Sequence, residues 1–310
     1  MPRHVGEIEG LNPYFVESDQ AMTASWQIEG AYATFHTQAL SGKYLTAGHY
    51  QGMRELVHRP TGMSITAGET LPGLASPYRV FANQRRYGDL RDRPTRVELV
   101  PEGLRITHPE DDENPFEVTS VYAWRDDTFD IRYTISAREE MLGFEMGVAS
   151  YLAAGFRGFI SRQSNVWGEP GFRIVPVDTN PMTDVYALFP RREAELKTIF
   201  DGRWDLPPVP IRYGVPAFFA HSLAYRRHAV SGLMVVGMAD PAECHAICIP
   251  VNDPPENPDP ALGYQAIYFY LFGRDLRPGE TASTRLRWTV GQNLSEAEIL
   301  ALWESFIGPP

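Results

Sequence analysis

Phe116–Ser136 reads FEVTSVYAWRDDTFDIRYTIS. Polar and apolar side chains alternate through both halves, the two-residue period of strands that turn one face to a core. Val118, Ser120, Tyr122 and Trp124 share one face of the first half, and Ile131, Tyr133 and Ile135 one face of the second. The connection Arg125-Asp126-Asp127-Thr128 is turn chemistry, so the segment predicts an antiparallel hairpin with one face available to a core.

The same reading extends in both directions. Trp26–Leu40, Arg96–Ile106, Phe144–Leu152 and Leu233–Met238 are strand-like. Ser41-Gly42, Pro60-Thr61-Gly62, Pro101-Glu102-Gly103 and Pro278-Gly279 punctuate the chain as turns. Repeated antiparallel strands predict an all-β fold, a large β-sandwich with a short C-terminal helix. Two helices are expected, Arg191–Phe200 and Ser295–Phe306. In the second, Ser295 caps and Glu298 completes a capping box, and Ile299, Leu302, Trp303 and Phe306 form an apolar stripe that packs over a sheet end. Residues 1–21 read as an N-terminal extension and 22–310 as a single domain. The proline-rich runs Leu206–Pro210 and Pro250–Pro260 break ladders and read as loops rimming a concave site.

Composition narrows the function. A formal charge of −11 over 310 residues gives no electrostatic reason to expect nucleic acid or an anionic membrane as partner. MPRHVGEIEG has no apolar leader core and no stretch is long enough to cross a bilayer, so the expected location is cytoplasmic. Cys244 and Cys248 read as buried thiols sharing one strand face, too far apart to bridge. No phosphate-binding loop, GxSxG elbow or zinc spacing is present, so no cofactor and no metal is expected.

AGHYQGMRELVHRPTGMSIT (47–66), PYRVFANQRRYG (77–88), FEMGVASYL (144–152), CIPVNDPPENPDP (248–260) and LRPGETASTRLRW (276–288) follow one another in an order that resembles the galactose mutarotase, or aldose 1-epimerase, superfamily. The resemblance spans residues 22–292 and implies a β-supersandwich and a sugar ligand. It also implies two departures. Where the family's catalytic His follows a central strand this chain has Ala149, Ser150 and Tyr151, and where its Glu stands on a late strand it has Ile249-Pro250. Ordinary aldose mutarotation is therefore disfavoured.

The candidate catalytic residues are His49, Tyr151 and His221. His49 follows a glycine and precedes Tyr50, a setting for an exposed imidazole. Tyr151 falls where the family's histidine is expected, and His221 opens HSLAYRRH after a Pro-Ala-Phe-Phe run. Asn83 and Arg85 are the candidate clamp for sugar hydroxyls and a carboxylate, with Glu55 and Arg162 as further substrate contacts. Glu145, His58 and His245 are weaker candidates. Trp124, Trp167, Trp204 and Tyr268 are able to stack on sugar C–H faces. These residues point to proton-transfer chemistry on a sugar or uronate, by epimerisation, isomerisation or β-elimination. The alternative is a non-catalytic carbohydrate-binding or structural sandwich, which would present stacking aromatics without convergent His, Tyr, Arg and Glu.

Overall fold

Phe116–Arg125 and Thr128–Ala137 pair antiparallel from Phe116 opposite Ala137 to Arg125 opposite Thr128. Asp126 adopts φ 44°, the left-handed backbone that lets a two-residue turn follow the strand twist. Val118, Tyr122 and Trp124 on one strand and Phe129, Ile131, Tyr133 and Ile135 on the other enter the core, so the alternation in sequence is the alternation in burial.

The computed structural model describes residues 25–67, 71–164, 171–177, 185–207, 210–250 and 265–308. The expected extension 1–21, Trp167, and the loop residues 208–209 and 251–260 lie outside the described residues. A five-stranded meander comprises β1 (Ser25–Glu29), β2 (Tyr32–His36), β3 (Leu40–Leu45), β4 (Gly52–His58) and β5 (Met63–Ser64). The following strands are β6 (Ser76–Ala82), β7 (Arg85–Asp89), β8 (Arg96–Val100), β9 (Gly103–His108), β10 (Phe116–Arg125), β11 (Thr128–Ala137) and β12 (Met141–Leu152). Then come β13 (Phe156–Gln163), β14 (Phe172–Val177), β15 (Val185–Pro190), β16 (Arg212–Gly214) and β17 (Phe219–His228). The last four are β18 (Leu233–Ala239), β19 (Cys244–Ile249), β20 (Gln265–Leu276) and β21 (Thr281–Gln292). A nine-stranded sheet runs β14-β13-β17-β18-β21-β11-β10-β9-β8, and a seven-stranded sheet runs β16-β15-β19-β20-β12-β6-β7. The pairings are antiparallel except β15 with β16, which is parallel.

One apolar core draws on all three sheets. Phe35 of the meander stacks on Trp124 at 3.9 Å, Phe129 and Trp288 stack at 6.5 Å, and Phe269 of the seven-stranded sheet meets Trp288 edge-on at 5.7 Å. A buried side chain of this size contributes about 1.5–3 kcal/mol relative to leaving it exposed. Ile267, Phe269 and Leu271 of β20 face this core while Ala266, Tyr268 and Tyr270 form a second cluster on the outer face of the same sheet. That outer face carries the candidate site.

The C-terminal helix forms at α2 (Glu296–Ile307) with the expected capping box of Ser295 and Glu298. Ile299 and Phe306 are buried against Leu223, Met234 and Met238, so the helix covers part of the outer face of the nine-stranded sheet rather than its end. The expected helix over 191–200 is shorter: a 3₁₀ turn Glu193–Glu195 runs into a single turn, α1 (Leu196–Ile199). A run of so few residues has no room for an amphipathic face, and its one buried side chain is Ile199. Cys244 and Cys248 are free and buried, but they face opposite sides of β19. The register slips between Cys244 and Ala246, and that bulge turns the strand over where plain alternation would have kept both thiols together.

Candidate functional site

β6 is buried along its whole length, yet it carries a charge, Arg79, between Tyr78 and Val80. A register slip between Arg79 and Phe81 lets Tyr78, Arg79 and Phe81 all face outward rather than alternate. Arg79 is 2% exposed, and its guanidinium lies 5.0 Å from the Tyr78 ring and 5.6 Å from that of Trp204. Arg91, from the 3₁₀ turn Leu90–Asp92, also packs on Tyr78, at 4.0 Å, and on Tyr50 at 4.6 Å. Two buried guanidinia thus approach one phenol ring in cation–π contact.

The hydrogen bonds of this face converge on Tyr151, at the end of β12. Its oxygen accepts from Arg91 Nη1 at 3.4 Å and from the Tyr268 hydroxyl at 3.2 Å. Tyr151 N donates to Gly73 O at 2.9 Å, and Ala75 N donates to Ser150 Oγ at 3.0 Å, so the strand end is pinned by the segment before β6. A Cβ on Gly73, at φ 71°, would stand 1.6 Å from Met53 O, and only glycine permits that approach. Asp89 supplies the negative charge: its two oxygens take Arg86 at 2.5 Å and Arg91 at 3.4 Å.

The rim is formed by the turn before β4. Tyr50 has φ 59°, an uncommon conformation for an aromatic residue, and its N–H donates to Asp92 Oδ1 at 2.7 Å. The same oxygen lies 2.8 Å from His49 Nδ1. His49 stacks beside Tyr50 at 3.7 Å, and its side chain is 66% exposed.

Of the residues singled out from sequence, Tyr151, Trp204 and Tyr268 lie on this face and His49 lies at its rim. Arg85 is elsewhere, exposed, donating to Glu113 O and stacking on Tyr87. Asn83 sits at the β6–β7 turn with φ 54°, where its side chain donates to Glu140 O and accepts from Leu142 N. Glu55 is exposed on β4 and pairs with Lys43 at 3.3 Å. Trp124 belongs to the core. His221 is on the nine-stranded sheet beneath α2, 2.8 Å from Ser161 Oγ and 4.6 Å from Trp303, and burial lowers its pKa against the opposing pull of Glu304. His58 bonds Thr61 at 2.8 Å, and burial lowers its pKa too, with Asp127 opposing. Arg162 lines a separate hollow of about 490 Å³ with Val175, Tyr186, Phe189 and Pro216.

The sequence reading passed over Arg79, Tyr78 and Asp89, and took Arg91 only as added basic character beside Asn83 and Arg85. The usable signal was an arginine inside PYRVFA, an otherwise apolar strand. It also left Glu145 and His245 apart, whereas His245 Nε2 lies 2.7 Å from Glu145 Oε2 with both side chains essentially inaccessible. The bulge in β19 that separates the cysteines brings His245 to the outer side, across β20 from Glu145. Arg203 approaches the same carboxylate at 3.6 Å. Among the described residues, no group of three His, Cys, Asp or Glu side chains is placed to hold a metal ion.

Comparison with solved structures identifies the fold. A galactose mutarotase related enzyme from Lactobacillus acidophilus superposes with TM-score 0.54 at 10% identity, over 86% of this chain and 99% of its own. A galactose mutarotase-like protein from Lactobacillus casei gives 0.52 at 11%, covering 84% and 100%. One from Clostridium acetobutylicum gives 0.51 at 12%, covering 87% and 98%. No model of a protein family matches the sequence, and no curated protein does. The chain has the galactose mutarotase-like β-sandwich fold, at an identity that carries architecture alone.

Proposed function

We propose that the protein binds a carbohydrate on the outer face of the seven-stranded sheet and acts on it by proton transfer. The observation that carries this reading is the Arg91–Tyr151–Tyr268 chain of donors set among aromatic rings. Sugar recognition needs both parts, ring faces for the apolar C–H surface and fixed polar groups for the hydroxyls. The likeness of the fold to mutarotase-related proteins supports the choice of ligand.

In this reading Tyr151, whose oxygen already accepts two hydrogen bonds, is cast as the proton donor. His49 is the base, exposed at the rim with the Asp92 carboxylate 2.8 Å from its Nδ1. Removal of a proton by one group and delivery by the other is the common core of isomerase and lyase chemistry on sugars. A second reading, recognition without turnover, is favoured by one feature: His49 stands on the exposed rim instead of within the face.

Calorimetric titration with a panel of hexoses and uronates, paired with NMR of solvent-deuterium uptake and anomer exchange, tests both. Wild type is expected to bind and to catalyse exchange, and H49A and Y151F to keep binding while losing exchange. Binding without exchange in wild type would establish the recognition reading. Failure of every sugar to bind would overturn the carbohydrate assignment.

A further inference from the structure

We infer that the ligand of this face carries an acidic group, a sugar carboxylate or a sugar phosphate ester, seated against Arg79. The inference rests on the carbohydrate reading above and adds to it the class of sugar and the residue that selects it.

Among the described residues Arg79 is a buried cation with aromatic neighbours but no anionic partner. Its Nε and Nη1 are inaccessible and make no hydrogen bond, and no carboxylate pairs with it among the described residues. The carboxylate that its register offers, Asp89 directly across on β7, is engaged by Arg86 and Arg91. Asp89 thus serves Arg86 and Arg91 and leaves Arg79 without a carboxylate, in a chain whose overall charge is −11. The fold treats its other buried arginines differently. Arg226, 1% exposed, donates to the carbonyls of Phe156, Pro250 and Ala266 and to Gln265 Oε1. Arg203, 4% exposed, holds Asp201 through both oxygens and Gly143 O. Arginine does not shed its proton, so a buried guanidinium left unpaired is destabilising until an anion arrives. A planar fork of N–H donors matches the geometry of a carboxylate or phosphate edge. The flanking Tyr78 and Trp204 rings leave the sugar's acidic end at Arg79 and its hydroxyls toward Arg91, Tyr151 and Tyr268.

The test compares matched ligands on the full chain by calorimetry: galactose with galacturonate, glucose with glucuronate and with glucose 6-phosphate, and inorganic phosphate alone. At least one acidic sugar is expected to bind tenfold or more tighter than its neutral counterpart, and the uronate and phosphate arms identify which acid. Arg79→Met is expected to abolish that preference while raising the melting temperature of the ligand-free protein. Should Arg79→Met fail to fold, the wild-type ratio and Arg79→Lys, which keeps the charge but loses the fork and so weakens the preference, decide the matter. Equal affinity for neutral and acidic sugars would overturn the inference and leave the carbohydrate reading standing. Inorganic phosphate binding as tightly as the sugar phosphate would overturn it in favour of a simple anion site. Binding of no sugar at all would overturn the carbohydrate reading and this inference with it. A preference retained in Arg79→Met would remove Arg79 from the site.

Discussion

The two sheets turn very different outer faces to their surroundings. On the nine-stranded sheet, the part left uncovered by α2 forms a shallow hollow of about 610 Å³ lined by Arg96, Glu98, Arg105, Glu117, Thr119 and neighbouring residues. Charges there are matched across strands, Arg105 with Glu98 at 2.9 Å and Arg96 with Glu117 at 3.3 Å, and hydroxyls pair likewise, Thr134 with Ser283. The outer face of the seven-stranded sheet carries buried arginines among aromatic rings, and they outnumber the carboxylates that serve them. Water makes the first arrangement cheap and nearly neutral in energy, since exposed ion pairs are worth little. Burial makes the second expensive. A protein that keeps the expensive face gains something from it beyond folding, and that is why the second face is the better candidate for function.

The largest expected effect comes from breaking the charge economy of the buried face. Asp89→Asn keeps the shape of the side chain but leaves Arg86 and Arg91, whose side chains are 9% and 7% exposed, without their carboxylate. The loss is expected to be about 3 kcal/mol in unfolding free energy, read from the urea midpoint at constant slope. A change below about 1 kcal/mol would mean that water already screens this face, and the contrast between the sheets would fail.

A buried histidine sharpens the comparison, because it has an escape that arginine lacks. His108 on β9 is 1% exposed, and burial, with Arg93 adding to it, pushes its pKa down to about 3. The folded pKa lies below the unfolded value near 6.5, so the unfolded chain binds the extra proton as the pH falls. Stability from this group is complete above pH 6.5 and is lost on acidification, by about 1.4 kcal/mol for each pH unit down toward pH 3. His108→Leu is expected to flatten the decline between pH 6 and 4 when unfolding is followed across that range. An unchanged slope would mean that other groups set the acid limit. Arg79 in a comparable position cannot discard its charge, and so its burial calls for an anion.

Local chemistry made much of the fold legible. The Phe116–Ser136 hairpin and the Ser295 capping box are each written within a few residues, and both formed as read. The site was not legible in the same way, because bulges decide which side chain faces out. Slips at Arg79/Phe81 and Cys244/Ala246 put Arg79 and His245 on the outer face, and no pattern of alternation announces them. Arg85 looked suited to the role of Arg79 because it follows Asn83 in a familiar order, but the two-residue turn at Asn83-Gln84 delivers it to the solvent side. Tyr151 was placed correctly on the strand end, while its partners Arg91 and Tyr268 arrive from 60 residues before and 117 residues after it, a juxtaposition set by strand order alone.

The smallest expected effect tests the other half of the contrast. Glu98 pairs with Arg105 on the open face of the nine-stranded sheet, with side chains 58% and 37% exposed. Both groups keep most of their hydration, and holding two long side chains in one geometry costs entropy that offsets the Coulomb gain. Glu98→Gln is therefore expected to change stability by less than about 0.5 kcal/mol, and by less still in high salt. The comparison is with Asp89→Asn, which also replaces one carboxylate oxygen by an amide and nothing more. Since the chemistry of the two substitutions is the same, any difference between them reports burial. Equal effects would show that the two outer faces are electrostatically alike, and the argument for a ligand at Arg79 would lose its physical basis.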